Sequence, residues 1–454
     1  MDISSAPLAP LQRIDRSRRI RFGAAASTIH GLFILMVAAL LGGCVSYSMH
    51  NQAMERLLID HGPAQALAAL DKTNNFSSQK TLRELDRGVL TRMVGDLEDS
   101  NLALEQAKRA MTEVDAISLR EQAAAITIND TLRSYLGAPF ERILIHTYKT
   151  LNYLELNDYD SARVEALQLD VLMKSFKEDR ELPIARYITG LVFESLNETS
   201  DALIAYRKAY QAYRANDLPV PLHLQQDLLR LTLAMDLTDE HERFRQEFGQ
   251  SEWQPSAPSA GEGELVFILH NGLIPRKHEQ AITAQDPGTG QLHRIATPYY
   301  EKRNPDIDSA RVKAGDHTAG TELMARLDDH AEAALEAEMP KIIARAIARV
   351  AVKNKVVDNT RDSNNNNGAL LAAVVNIAGV VTERADTRSW ITLPQQILVA
   401  RLNLPAAHYD FNVALQNSAG ATRHVERYTK TIEPGRKTFV SLHWPASHST
   451  RWRP

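Results

Sequence analysis

Between about His50 and Phe248, apolar residues recur every three or four positions, the spacing that lines one face of an α-helix. Met54, Leu57 and Leu58 lead into Asp60-His61-Gly62-Pro63, after which Ala66, Leu67 and Leu70 resume the period. The same unit returns as Leu90, Met93 and Val94 before Gly95-Asp96, with Leu102, Ala103 and Ala107 beyond. It returns again as Tyr148, Leu151 and Leu154 before Asn157-Asp158, and as Tyr187, Gly190 and Leu191 before Asn197-Glu198. Gly or Asn in a short polar turn reverses a chain, so this part predicts a series of helical hairpins.

The period then changes. Residues 251–262 are rich in Pro, Ser and Gly and read as a linker. Beyond them Glu264-Leu265-Val266-Phe267-Ile268-Leu269-His270 is β-branched and aromatic, and predicts a buried strand. Asp286-Pro287-Gly288-Thr289-Gly290 is a turn across which 291–296 can pair back. Four more strands are predicted over 396–402, 409–415, 422–431 and 437–444, forming an antiparallel sheet with the first. Between these strands lies a helical insertion at about 321–384. Thr321 would cap a helix over 322–338, Pro340 would begin a second helix or kink a continuous one, and the all-round apolar run 369–381 suits burial. The fold class that follows is α+β and multidomain: a helical repeat domain over 44–250, then a β-rich domain over 263–454 with a helical insertion.

The N-terminal segment adds a location. Arg13, Arg16, Arg18, Arg19 and Arg21 precede an apolar run from Gly31 to Leu41, and Leu41-Gly42-Gly43-Cys44 follows with the single cysteine of the chain. A basic segment, a short apolar core and small residues before a processing point make a secretory signal, and the run is shorter than the ~20 residues of a bilayer span. Residues 1–43 therefore read as a signal peptide. A cysteine directly after the small pair resembles a lipobox, which makes Cys44 the lipidated (palmitate-bearing) residue and the membrane the first partner. Val45 stands where an inner-membrane retention signal often has Asp, which favours the outer membrane, with the protein facing the periplasm. One cysteine cannot form an internal disulfide even in that oxidising compartment, so packing must hold the fold.

Charge and motif searches narrow the chemistry. A net charge of −4 and a pI near 6.4 provide no basic footprint for nucleic acid. Gly315-Asp316-His317-Thr318-Ala319-Gly320-Thr321 has phosphate-loop glycines but Thr321 where the lysine must stand, and reads better as a helix cap. His241-Glu242 and His278-Glu279 each lack a second histidine four residues after the first, no G-x-S-x-G elbow is present, and Gly261-Glu262-Gly263 lacks the third glycine of a dinucleotide loop. His270, His278 and His293 would converge only under a favourable strand pairing. No catalytic residue, metal ligand or cofactor is specified.

Two groups remain as partner-binding candidates. Tyr153, Tyr159, Tyr187 and Tyr206 fall in the third and fourth helical units; tyrosine is a favoured contact residue, and equally packs between helices with its hydroxyl at the edge. Asp386, Arg388 and Trp390 could form an Arg–carboxylate fork beside an indole that recognises a peptide or glycan, or could pin the junction between helix and strand.

The helical units, with Tyr153-Leu154-Glu155-Leu156-Asn157-Asp158-Tyr159-Asp160-Ser161-Ala162 as the best match, resemble divergent tetratricopeptide repeats. Together with the lipobox, Phe267-Ile268-Leu269-His270-Asn271-Gly272-Leu273, Met339-Pro340-Lys341-Ile342-Ile343-Ala344-Arg345-Ala346-Ile347, and Ala385-Asp386-Thr387-Arg388-Ser389-Trp390 with Leu393-Pro394, the chain resembles a family of uncharacterised proteobacterial lipoproteins carrying such repeats. Members tend to be encoded beside a small lipoprotein similar to activators of penicillin-binding proteins, so the resemblance implies a link to peptidoglycan or envelope assembly. The leading expectation is a non-enzymatic outer-membrane lipoprotein that scaffolds periplasmic or envelope proteins. The alternatives are an envelope hydrolase with its site in the C-terminal domain, and an accessory factor for export or outer-membrane assembly.

Overall fold

The computed structural model describes residues 52–72, 80–125, 135–176, 181–250, 252–254, 261–361 and 368–445, so the signal peptide and Cys44 lie outside the described residues. From Ala53 onward the chain forms one compact unit.

Among the described residues ten helices come first: α1 (52–61), α2 (Pro63–Asp71), α3 (Lys80–Met93), α4 (Leu97–Ala125), α5 (Pro139–Glu155), α6 (Tyr159–Met173), α7 (Pro183–Ser195), α8 (Thr199–Ala215), α9 (Leu222–Ala234) and α10 (Thr238–Glu247). Proline opens α2, α5 and α7, where its missing N–H would have no partner within the helix. The helices pack as consecutive pairs from α3/α4 to α9/α10. The reversals inside the pairs carry Gly95, Asn157, Asn197 and Asp236, all with φ between 55° and 88°. Left-handed backbone there lets the next N–H return to a carbonyl five residues back, as Asp158 N does to Tyr153 O at 2.9 Å. Close approach within pairs depends on size. Leu104 fills the space of a side chain at Gly88 and Tyr206 that at Gly190, while the same register in α5/α6 holds Thr150 and Ala166. This is a tetratricopeptide-like helical array.

The described strands form two four-stranded sheets and a hairpin. Sheet one has the order β10 (Lys437–Trp444), β1 (Glu262–Asn271), β7 (Gln396–Pro405), β6 (Glu322–Arg326); sheet two has β5 (His317–Gly320), β4 (Ser309–Ala314), β8 (Ala407–Gln416), β9 (Thr422–Ile432). Strands β2 (Lys277–Gln285) and β3 (Leu292–Tyr300) pair separately across the predicted turn. Alternation divides each strand of sheet one into two faces. Leu265, Phe267 and Leu269 of β1, Leu398, Ala400 and Leu402 of β7, and Val440, Leu442 and Trp444 of β10 form a core with Val312, Phe411, Val413 and Leu415 of sheet two. The intervening residues point to the opposite face, towards the helices.

Four expectations change. The C-terminal domain is not one antiparallel sheet: β1 and β10 run parallel, pairing Glu264 with Lys437 and His270 with His443. Residues 322–326, expected as helix, form β6, because pairing with β7 outweighs their helical composition. Gly315 turns a β4–β5 hairpin rather than capping a helix. The insertion is α11 (Leu327–Arg361), continuous through Pro340, and α12 (Gly368–Thr382), which packs on α11 and β3 with Ile377 left 55% exposed. No described helix is long and apolar enough to cross a membrane.

Candidate functional site

The helices meet sheet one mainly through the first helix of each pair, and the contact is polar at its anchor points. On α3, Asp86 accepts hydrogen bonds from the Thr392 N–H at 3.3 Å and hydroxyl at 2.9 Å, and its burial pushes its pKa from an ordinary 3.8 up to about 7. In the first turn of α5, Glu141 accepts from Trp390 N–H at 2.9 Å, the Tyr135 hydroxyl at 2.5 Å and Ala138 N–H at 2.7 Å.

Further along the seam, Arg92 donates to Asn152, Glu155 and Ser441, joining α3, α5 and β10, while the Ser441 hydroxyl donates to Glu155 at 2.7 Å. Beside it His270 and His443, register partners in the parallel strands, stack with ring centroids 4.1 Å apart, and Tyr148 tilts over His270 at 5.4 Å. Burial, then the nearby Arg92 charge, holds His270 neutral well below the usual histidine range; His443 is depressed in the same direction by burial, His270 and Arg92.

The third anchor is a six-membered ion network. Arg401 of β7 donates to Glu264 and Asp227 at 2.5 Å each and to the Tyr187 hydroxyl at 2.9 Å. Arg230 reaches Glu194 at 2.7 Å and Asp227 at 2.8 Å, and Lys437 bridges Glu194 and Glu264. Three cations therefore face three carboxylates. Burial alone would raise the Glu264 pKa, but Arg401 and Lys437 hold it well below the carboxylate range. A cleft of about 300 Å³ opens on this network, lined also by His223, Trp253 and His317. Its buried charges already satisfy one another, so the arrangement locks helix to sheet and leaves no charge in excess to recruit an ionic ligand.

With the sheet against α3, α5, α7 and α9, the helical surface left open is the outer one. There a groove of about 680 Å³ runs between α4, α5 and α6, lined by Met111, Ile145, Leu167, Val171 and Leu172 and edged by Lys108 and Arg142. Leu167 is 43% and Val171 69% exposed. Exposed large apolar side chains grouped in one groove mark an interaction surface more strongly than single ones scattered on a surface.

The partner candidates fall in different places. Tyr187 and Tyr206 are completely buried, with ring centroids 5.5 Å apart, and offer a partner no surface. Tyr159 is half-buried and donates to the Lys437 carbonyl at 3.2 Å; Tyr153 is half-buried on α5. Asp386 and Arg388 form a fork at 2.9 and 2.7 Å on the segment between α12 and β7, and Trp390 is buried, donating from its indole to the Thr392 hydroxyl at 3.0 Å. Trp390 packs this connection against α5, Arg388 is buried over the Tyr135 ring, and Asp386 is the more accessible member. His278 and His293 stand on the separate hairpin, apart from His270. The seam residues Arg401, Asp227, Glu264, Lys437 and His443 were not singled out from the sequence, although charged or imidazole groups on otherwise apolar strands were a signal for all but Asp227, which lies on α9.

No family model matches the chain, and no curated protein matches it. Among solved structures it is similar to MamA AMB-1 at 11% identity and to MamA from Desulfovibrio magneticus RS-1 at 13%, each with a TM-score of 0.30 and covering 45% of this chain and 91% of that one. It is also similar to the Rap conjugation gene regulator of plasmid pLS20 in complex with the Phr* peptide, at 14% identity and a TM-score of 0.29, covering 45% of this chain and 51% of that one.

Proposed function

We propose that this protein is a non-enzymatic scaffold of the cell envelope, tethered to the outer membrane through lipidated Cys44, whose helical array holds a periplasmic or envelope protein. The observation that carries the reading is the apolar groove between α4, α5 and α6, the open side of an array whose other side is taken by its own sheet. Leu167 and Val171 there suit an apolar segment of a protein partner. The tether is supported by Leu41-Gly42-Gly43-Cys44 behind a basic and then an apolar run, and two or more acyl chains on one cysteine hold firmly where a single chain holds marginally. A link to peptidoglycan or envelope assembly is supported by the family resemblance.

The test places a photoactivatable residue at Val171 in intact cells, with a second at Ile282 on the β2–β3 hairpin as control. A defined adduct with an envelope protein from Val171 that is lost in Leu167→Asp supports the scaffold. Adducts from Ile282 alone, or none from either, overturn it. Cys44→Ala must also abolish palmitate labelling and release the protein from membranes.

A further inference from the structure

At the end of the seam nearest the α3–α4 turn lies a separate cavity of about 270 Å³, bounded by Arg92, Glu155, Tyr428, Lys430, Ser441 and His443. Three of these side chains satisfy one another: Arg92 donates to Glu155 and Ser441, and Ser441 to Glu155. The others do not. Both ring nitrogens of His443, which is 5% exposed, have no hydrogen-bond partner, and neither do the buried Tyr428 hydroxyl and Arg92 Nε. A buried polar group without a hydrogen-bond partner is unfavourable, and several of them belong to residues that bound this one cavity, a set that a ligand would complete.

The donors outnumber the acceptors. Tyr428 and Lys430 stand two residues apart on β9 and so share a face, and among the described residues no carboxylate lies within ion-pair distance of Lys430. A neutral His443 ring donates one hydrogen bond and accepts one. The charge of Arg92 is balanced by Glu155, which leaves the ammonium of Lys430 in excess. The carbonyls at the α3 terminus, which would repel an anion, are taken up by Val94, Gly95 and Asp96 N–H groups at 3.0 to 3.1 Å. Gly95 itself, with φ of 88° and open space where a Cβ would stand, keeps that rim clear.

We propose that this cavity binds a compact oxyanion, a carboxylate or phosphate group, through Lys430 Nζ, the Tyr428 hydroxyl and a ring N–H of His443. The site is independent of the outer groove: its ligating residues lie on β9 and β10, those of the groove on α4, α5 and α6.

The experiment measures thermal stabilisation and binding heat of the full chain with inorganic phosphate and, separately, acetate, at constant ionic strength. Tyr428→Phe keeps the ring stacked on Phe411, at 5.3 Å, and loses only the hydroxyl; Lys430→Ala changes an exposed side chain. Saturable millimolar or tighter binding to the wild type, weakened about tenfold in each variant as one charge-assisted bond is lost, supports the site. Preference for phosphate points to a phosphorylated ligand, and preference for acetate to a carboxylate. Absence of saturable binding for both anions, or affinity unchanged in both variants, overturns the proposal. Leu167→Asp, which tests the groove, leaves this binding unaltered.

Discussion

Gly190 of α7 lies against the face of Tyr206 of α8 so closely that a Cβ on the glycine would stand 2.3 Å from the ring. Gly190→Ala therefore forces the α7/α8 pair apart. A loss of about 1–3 kcal/mol is expected, read as a lower denaturation midpoint, and Gly190→Ala with Tyr206→Leu should recover much of it.

Asp86 gives the fold an acid preference. Its folded pKa of about 7 lies above the ordinary 3.8, so its contribution is fully present below 3.8 and is lost as pH rises through about 7. Asn in its place can accept the same two bonds from Thr392. Asp86→Asn should flatten stability between pH 4 and 7 and, above pH 7, exceed the wild type by an amount on the order of 1 kcal/mol or more. Chemical denaturation at a series of pH values reads both effects.

His270 and His443 act in the opposite direction. Both are depressed in the folded state, so their contribution is present above the ordinary 6.5 and falls away as pH drops below it. Tyr148 packs on both rings of the pair, with Arg92 over the Tyr148 ring and Trp390 against it. His270→Leu should soften the acid limb of the stability profile between pH 6.5 and 4, and a limb unchanged from wild type would remove the pair as its source.

Arg401 holds two buried carboxylates at once. Arg401→Met leaves Asp227 with only Arg230 and Glu264 with only Lys437, so that three carboxylates face two cations, at a cost of about 3 kcal/mol. Hydrogen exchange should rise first in α9 and β7. The triple change with Asp227→Asn and Glu264→Gln should restore part of the loss.

Much of the helical half was legible because its cues are local. Gly95, Asn157 and Asn197 mark the reversals that left-handed backbone requires, and Pro63 follows the first predicted turn and opens α2. The β half was legible strand by strand and poorly legible as a sheet, since pairing β10 beside β1 joins residues over 170 positions apart and neither strand announces its neighbour. Residues 322–326 have helical composition and were overruled by β7. The seam was harder still. Arg401 within Ile397–Leu404, and Lys437 and His443 within the last strand, are polar residues at inward positions; only the packed helices explain why they are there. Tyr187 and Tyr206 show the converse, residues typical of contact surfaces consumed by the interior.

The sheet against the array has a consequence for time as well as space. Strand β10 completes the surface on which α3, α5 and α7 rest, yet it leaves the ribosome after every helix it covers. Until it arrives, the inner sides of those helices, made first, have no lid, and the earlier strand β1 lacks its parallel neighbour. The two halves therefore mature together only once β10 has been made, and a chain stopped before Lys437 would carry an unfinished interior in place of a smaller working protein.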